Sequence, residues 1–283
     1  MPGIYWLASY PKSGNTWFRT FLRNLQNDGD QPVDINDLAT GSIASHRGWL
    51  DEVLGFDTAE LTPDEVERLR PAVYRWALRE REIGYHKIHD AYTLTSDDEP
   101  LVSAPLGALY ILRNPLDVAP SAANHWHCSI DAAIAKMADP EMALARSRKS
   151  LPSQVRQRLL TWSQHVLSWV DAPGLNCRVI RYEDMLHDPL STFGLATDFL
   201  QLPRNRLETA IRFSDFRELA RQEAEKGFRE RPQHTERFFR AGGSTWRDKL
   251  TQEQVDRIVT DHGAVMRRFG YLDENGDPVS ERT

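Results

Sequence analysis

The chain has 283 residues, 40% of them hydrophobic and 27% charged, with a formal net charge of −6. That suits one domain with a large core, expected over 1–283 with lid-like segments at about 27–60 and 217–245, and the acidic balance speaks against nucleic acid as the main partner. Cys128 and Cys177 are too few for a disulfide framework, no apolar run approaches the ~20 residues of a membrane span, and the first residues lack the parts of a signal peptide, so a cytoplasmic protein is expected.

Ile4 to Ala8 is a short apolar run, and the apolar residues of Trp17 to Arg23 recur at helical spacing. Ser9-Tyr10-Pro11-Lys12-Ser13-Gly14-Asn15-Thr16-Trp17 therefore reads as strand, tight loop, helix. A glycine among small polar residues leaves backbone N–H groups to face an anion, and the helix N-terminus adds partial positive charge, so the loop suits phosphate. It is not the nucleoside-triphosphate loop Gly-x-x-x-x-Gly-Lys-Ser/Thr, because Lys12 precedes Gly14.

After a polar segment, Asn27 to Gln31, and the stretch Pro32 to Leu38, the chain reads as loop up to Phe56, with His46, Arg47, Trp49 and Leu50 either lining an acceptor pocket or pinning the loop to the core. Thr62-Pro63-Asp64-Glu65 predicts a helix running to about Glu82, whose end, Arg79-Glu80-Arg81-Glu82, is a solvated face. Gly84 to His89 reads as a strand with a polar exit, on which Lys87 and His89 share one face and His86 takes the other. Ligands of parallel α/β sheets sit beyond the carboxyl ends of strands, so Lys87 and His89 are expected to face the site of the first loop.

Leu109 to Leu112 is the clearest buried strand, and it runs into Arg113-Asn114-Pro115-Leu116-Asp117-Val118-Ala119-Pro120-Ser121. A magnesium-dependent phosphoryl-transfer enzyme would end such a strand with a carboxylate for the metal. Here an arginine stands instead, whose planar fork can bond two phosphate oxygens, or which could serve as a surface ion-pair residue. His125, His127 and Cys128 at a helix end do not form a tetrahedral set, so no metal is expected, and His125 and Trp126 become candidates for a pocket wall.

Ile130 to Lys149 is predicted helical, ending in the basic cluster Arg146 to Ser150, and Ser153 to Val170 is predicted as a helix with a core stripe of Val155, Leu159, Leu160, Trp162, Val166, Leu167 and Trp169. Cys177 to Asp184 reads as a strand with a polar end, followed by short helices over Pro189 to Leu202 and Pro203 to Arg212. Arg217 to Arg240 carries both signs of charge and reads as a mobile lid. Thr251 and Gln254 form a cap pattern for a last helix to Phe269, and the tail from Asp273 is expected to fray.

Tyr-Pro-Lys-Ser-Gly-x-Thr-Trp at residues 10–17 resembles the 5′-phosphosulfate loop of the sulfotransferase family, which uses 3′-phosphoadenosine 5′-phosphosulfate (PAPS). Lys87-x-His89 resembles the family's Lys-x-His, in which the histidine is the general base, and Arg113 to Ser121 resembles its 3′-phosphate motif. Tyr182-Glu183-Asp184, Ser214-Asp215-Phe216-Arg217 and Arg240-Ala241-Gly242 resemble three further signatures. Ala241 replaces the family's usual lysine, and the spacing to Trp246 is one residue shorter than in the animal cytosolic enzymes, which points toward a bacterial small-molecule branch.

The resemblance implies a P-loop-like three-layer α/β fold, with a central parallel sheet flanked by helices. It implies sulfuryl transfer from PAPS to a hydroxyl of a small-molecule or natural-product acceptor, leaving adenosine 3′,5′-bisphosphate and needing no metal. His89, Lys12 and Lys87 would be catalytic. Ser13, Gly14, Asn15 and Thr16 would hold the 5′ end; Trp17, Tyr182 and Phe216 the adenine; Arg113, Ser121, Arg240, Ala241 and Gly242 the 3′-phosphate side. The alternatives are a P-loop-type small-molecule kinase, which would need magnesium and ATP, or a nucleotide-binding protein without catalysis. Nothing in the sequence decides between monomer and homodimer.

Overall fold

The computed structural model describes residues 3–38, 42–77, 83–102, 106–146, 151–231, 237–239 and 246–279. In chain order its elements are β1 (Gly3–Ala8), α1 (Asn15–Gln26), α2 (Arg47–Leu54), α3 (Pro63–Ala77), β2 (Ile83–Ile88), β3 (Gly107–Leu112), α4 (Pro115–Trp126), α5 (Ile130–Met137), β4 (Ala143–Leu144), β5 (Gln157–Arg158), α6 (Trp162–Val170), β6 (Cys177–Arg181), α7 (Tyr182–His187), α8 (Pro189–Phe199), α9 (Leu207–Phe213), α10 (Phe216–Lys226), α11 (Trp246–Lys249) and α12 (Gln252–Arg268). They fall into two compact units, Met1–Tyr10, Thr40–Tyr110 and Ala138–Val179 in the first, Pro11–Ala39, Ile111–Met137 and Ile180–Thr283 in the second.

The first unit carries the sheet, in the order β2-β1-β3-β6, except for the last residues of β3 and β6. β1 pairs in parallel with both neighbours, Ala8 standing opposite Ile88 on one side and Tyr110 on the other. β1 and β3 are buried along their whole length, which is why they read as unbroken apolar runs rather than alternating ones. This is the expected α/β class, a central parallel sheet with helices. β1 has β2 on one side and β3 on the other, so the strand order reverses there, and ligands of such sheets bind beyond the strand carboxyl ends at that point.

Beyond β2 the first unit buries an ion pair, with the Arg70 fork on both oxygens of Asp90 at 2.8 Å each and both side chains 1% exposed. Arg70 also donates to the Tyr74 hydroxyl, which in turn donates to the Ala44 carbonyl. Burial pushes the Tyr74 hydroxyl up to about 12.

In the second unit, α1 buries Phe18, Phe21 and Leu22 completely, and Phe21 lies 4.2 Å between ring centroids from Phe193 of α8. The charged stretch expected as a lid begins as α10, whose Leu219, Gln222 and Glu223 are buried. Gln222 donates to the Val33 carbonyl, and the Glu223 carboxylate accepts the N–H groups of Phe238 and Phe239. Residues 216–226 of that stretch thus form a helix with one face buried.

Other boundaries moved for local reasons. α2 lies inside the stretch expected as loop, because its cap is the His46 ring, which accepts from the Trp49 N–H, rather than an oxygen side chain. The predicted 130–149 helix ends at Met137, after which the chain turns into β4. α6 begins at Trp162 rather than Ser153, because the Thr161–Gln164 capping box starts it there and Leu160 has φ +59°. The tail is a closed turn through Val279, whose N–H donates to the Tyr271 carbonyl. The predicted Arg79–Glu82 face lies outside the described residues, as does most of the basic cluster before Leu151. Cys128 and Cys177 are both free thiols.

Candidate active site

The phosphate-loop signature opens α1 in the second unit. Gly14 is the helix N-cap at φ +98°, and Lys12 before it is also left-handed at φ +70°. A β-carbon on Gly14 would stand 2.5 Å from Tyr182 Cδ2, so glycine is required both by the backbone and by the ring packed on it. Ser13 is 1% exposed, and its hydroxyl has no hydrogen-bond partner among the described residues. An orphaned buried hydroxyl costs ~1–3 kcal/mol, a cost that a bound anion would relieve. Thr16, on the first turn of α1, is 8% exposed.

Arg113, two residues before α4, reaches back to this loop. Its Nη1 donates to the Lys12 carbonyl at 2.9 Å, its guanidinium lies 4.3 Å over the Tyr182 ring, and its Nε has no partner among the described residues. The turn that carries it is fixed by Asn114, which caps α4 with its side chain and donates its N–H to the Glu183 carboxylate. Tyr271 donates to the other Glu183 oxygen; burial raises the pKa of this carboxyl, and the Asn114 N–H opposes that shift. Ser121 lies half-buried on α4. The Lys12 ammonium sits 4.4 Å over the ring of Phe238.

The three aromatics assigned to adenine come together. Trp17 is 4.7 Å from Phe216 and 5.7 Å from Tyr182 between ring centroids, and its indole N–H is tied to the Ser214 carbonyl at 2.9 Å. Trp17 and Tyr182 are buried and Phe216 half-buried.

In the first unit, His89 follows the last residue of β2. Its Nδ1 lies 2.8 Å from the Ser9 carbonyl oxygen. A carbonyl only accepts, so Nδ1 carries the proton and the lone pair is on Nε2. Ser9 is three residues upstream of Lys12 in the chain. Lys87 lies on β2 two residues earlier, and His86 stacks on Trp49, 4.8 Å between centroids and 7° from parallel. Of the loop residues considered for an acceptor pocket, Leu50 is fully buried and Arg47 donates to the Pro152 carbonyl and the Thr58 hydroxyl, so both pin the loop.

Arg240, Ala241 and Gly242 lie outside the described residues. His127 is the left-handed cap that ends α4, and among the described residues no three His, Cys, Asp or Glu side chains gather as a metal set. A cavity of about 360 Å³ in the second unit is lined by Asn114, Asp117, Glu183, Trp246 and Tyr271 among others. No residue from Lys12 to Trp17 lines it. The sequence reading missed Phe238 over Lys12 and the buried His165 of α6; the latter was signalled only by an imidazole within an apolar stripe.

The family model described as "Sulfotransferase domain" matches residues 3–270. The chain belongs to the sulfotransferase family. Rat sulfotransferase 2A6 is 25% identical over 219 residues, covering 74% of this chain and 64% of that protein, so the match spans under two thirds of the relative. Flavonol 3-sulfotransferase of Flaveria bidentis is 23% identical over 278 residues, covering 91% of this chain and 80% of its own length. Among solved structures, mouse sulfotransferase SULT7A1 complexed with PAP aligns with a TM-score of 0.56 at 16% identity, over 97% of this chain and 87% of that one. Retinol dehydratase in complex with androsterone and inactive cofactor PAP aligns at 0.57 and 17%, over 96% and 83%. At these identities the structural likeness speaks for the fold.

Proposed function

We propose that the protein transfers a sulfuryl group from PAPS to a hydroxyl of a small-molecule acceptor, releasing adenosine 3′,5′-bisphosphate. The observation that carries this reading is the Ser13 hydroxyl, buried without a partner in the loop that opens α1, beside a Lys12 carbonyl gripped by Arg113. Backbone N–H groups at the start of α1, the Ser13 and Thr16 hydroxyls and the Lys12 ammonium suit the 5′ end of the nucleotide. Arg113 and Ser121, with Arg240 and the backbone of Ala241 and Gly242, are assigned to the 3′-phosphate, and Trp17, Tyr182 and Phe216 to the adenine. The presence of PAP in the two similar structures supports that choice of nucleotide.

When bound, PAPS supplies a sulfuryl group already activated on a phosphate leaving group. His89 takes the acceptor proton at Nε2 as the acceptor oxygen attacks in line, while the Ser9 carbonyl holds its Nδ1–H and stabilises the imidazolium that forms. Lys12 meets negative charge growing on the departing phosphate oxygen, and Lys87 steadies the sulfuryl oxygens. Members that act on a flavonol, or that bind androsterone, make a ring-borne hydroxyl a reasonable first acceptor to try.

The test is transfer from radiolabelled PAPS across a panel of phenolic, steroidal, sugar and alkyl hydroxyls. Label should reach a hydroxyl, and His89→Ala should lower turnover by at least ~10²-fold while nucleotide affinity holds. Tight nucleotide binding with no transfer to any acceptor would leave a binding protein; phosphate transfer from magnesium ATP would make it a kinase.

A further inference from the structure

The base is held from two sides. The Ser9 carbonyl fixes the rotation of the His89 ring through Nδ1, and the second hold is on the His89 backbone. His165 on α6 places Nε2 at 3.0 Å from the His89 carbonyl oxygen and Nδ1 at 2.8 Å from the Tyr110 hydroxyl. Because the carbonyl can only accept, Nε2 carries the His165 proton. His165 is fully buried, and burial pushes its pKa down to about 4, so near neutrality the ring is uncharged and Nδ1 accepts from Tyr110.

The ring is enclosed by aromatic neighbours. Tyr10 meets it edge-on at 5.3 Å and Tyr110 lies at 5.8 Å between centroids. One turn along α6, Trp169 donates its indole N–H to the next carbonyl, that of Asp90, at 2.9 Å, and the Ser168 hydroxyl accepts the Tyr92 N–H. Successive peptides after β2 are thus clamped by one face of α6, and His165 takes the peptide of the base itself. Core packing would be served by any apolar ring of this size; it does not require a donor aimed at that one carbonyl.

We propose that His165 is a positioning residue for the base: its Nε2–H holds the His89 peptide so that the imidazole, oriented by Ser9, presents Nε2 to the acceptor hydroxyl. This rests on the assignment of His89 as the general base. A proton-transfer geometry lost by about 1 Å costs on the order of 10²-fold in rate, so a loosened His89 peptide should act on kcat rather than on nucleotide binding.

The test compares His165→Phe, which keeps the ring volume and removes the donor, with His165→Gln, which keeps an N–H where Nε2 was. His165→Phe should lower kcat ~10- to 100-fold with the KM for PAPS unchanged within about twofold, and His165→Gln should recover most of that loss. If His165→Phe leaves the Tyr110 hydroxyl without an acceptor and unfolds the protein, His165→Phe with Tyr110→Phe removes that unpaired O–H and carries the same expectation. In a His89→Asn background, His165→Phe should lower the residual rate no further. Equal kcat for His165→Phe and wild type, failure of Gln to rescue, or an undiminished effect in the His89→Asn background would each overturn the positioning role. Near-normal turnover of His89→Asn alone would instead overturn the base assignment, so the two failures are distinct.

Discussion

Replacing Gly14 with Ala tests the phosphate loop at its most constrained atom. The residue sits at φ +98°, where a side chain costs roughly 1–2 kcal/mol of backbone strain. The new β-carbon would stand 2.5 Å from Cδ2 and 3.0 Å from Cε2 of Tyr182, and Tyr182 is only 7% exposed, so the ring can yield only by repacking, at roughly 1–3 kcal/mol. Together these predict a loss of about 2–5 kcal/mol, and a fall in melting temperature on the order of 5–15 °C. Tyr182 also carries the Arg113 guanidinium 4.3 Å above its face, so a displaced ring should weaken adenosine 3′,5′-bisphosphate by at least ~10-fold, about 1.4 kcal/mol. Gly55→Ala is the control: its φ is +76° but nothing lies within 4 Å of the added carbon, so it should show the strain alone and leave nucleotide affinity intact. Calorimetric titration with the bisphosphate, alongside thermal unfolding, reads both quantities. If Gly14→Ala matches Gly55→Ala in melting temperature and binds nucleotide like wild type, the packing of Tyr182 on the loop does not shape the site.

Arg113→Ala should weaken adenosine 3′,5′-bisphosphate far more than adenosine 5′-phosphate, which lacks the 3′ group; equal losses in calorimetry would remove Arg113 from 3′ recognition. Arg70→Met leaves Asp90 buried and unpaired beside His89, so denaturant unfolding should report a loss of about 3–5 kcal/mol, most of it recovered when Asp90→Leu is added; no recovery would mean that the pair is held by something other than mutual neutralisation. His165 and His262 are pushed by burial to about 4, below the unfolded value of 6.5. Between those values the unfolded chain binds protons that the folded chain does not, so their contribution is complete above about pH 6.5 and is lost as pH falls toward 4, by about 3 kcal/mol for each histidine. Urea unfolding at pH 7, 6 and 5 should show that slope, and His262→Leu should flatten it; an unchanged slope would mean that His262 titrates normally when folded.

What the sequence determined by itself is what lies within a few residues. The strand, loop and helix around Tyr10 to Trp17, the strand that runs into Arg113 and the capping box of α12 are local patterns set by backbone geometry, and each stands where the pattern puts it. Tertiary structure alone decided who meets whom. His165 is 76 residues from His89, and Ser9 is 80 from it, yet those two carbonyl bonds fix the tautomers of both histidines. A histidine in an apolar stripe does not announce its acceptor, and nothing in the local sequence says that Tyr182 packs on Gly14 or that Phe238 covers Lys12. The physical reason is that propensity and periodicity act along the chain, whereas the orientation of a buried polar ring is decided by whichever distant groups must satisfy its hydrogen bonds once water is gone.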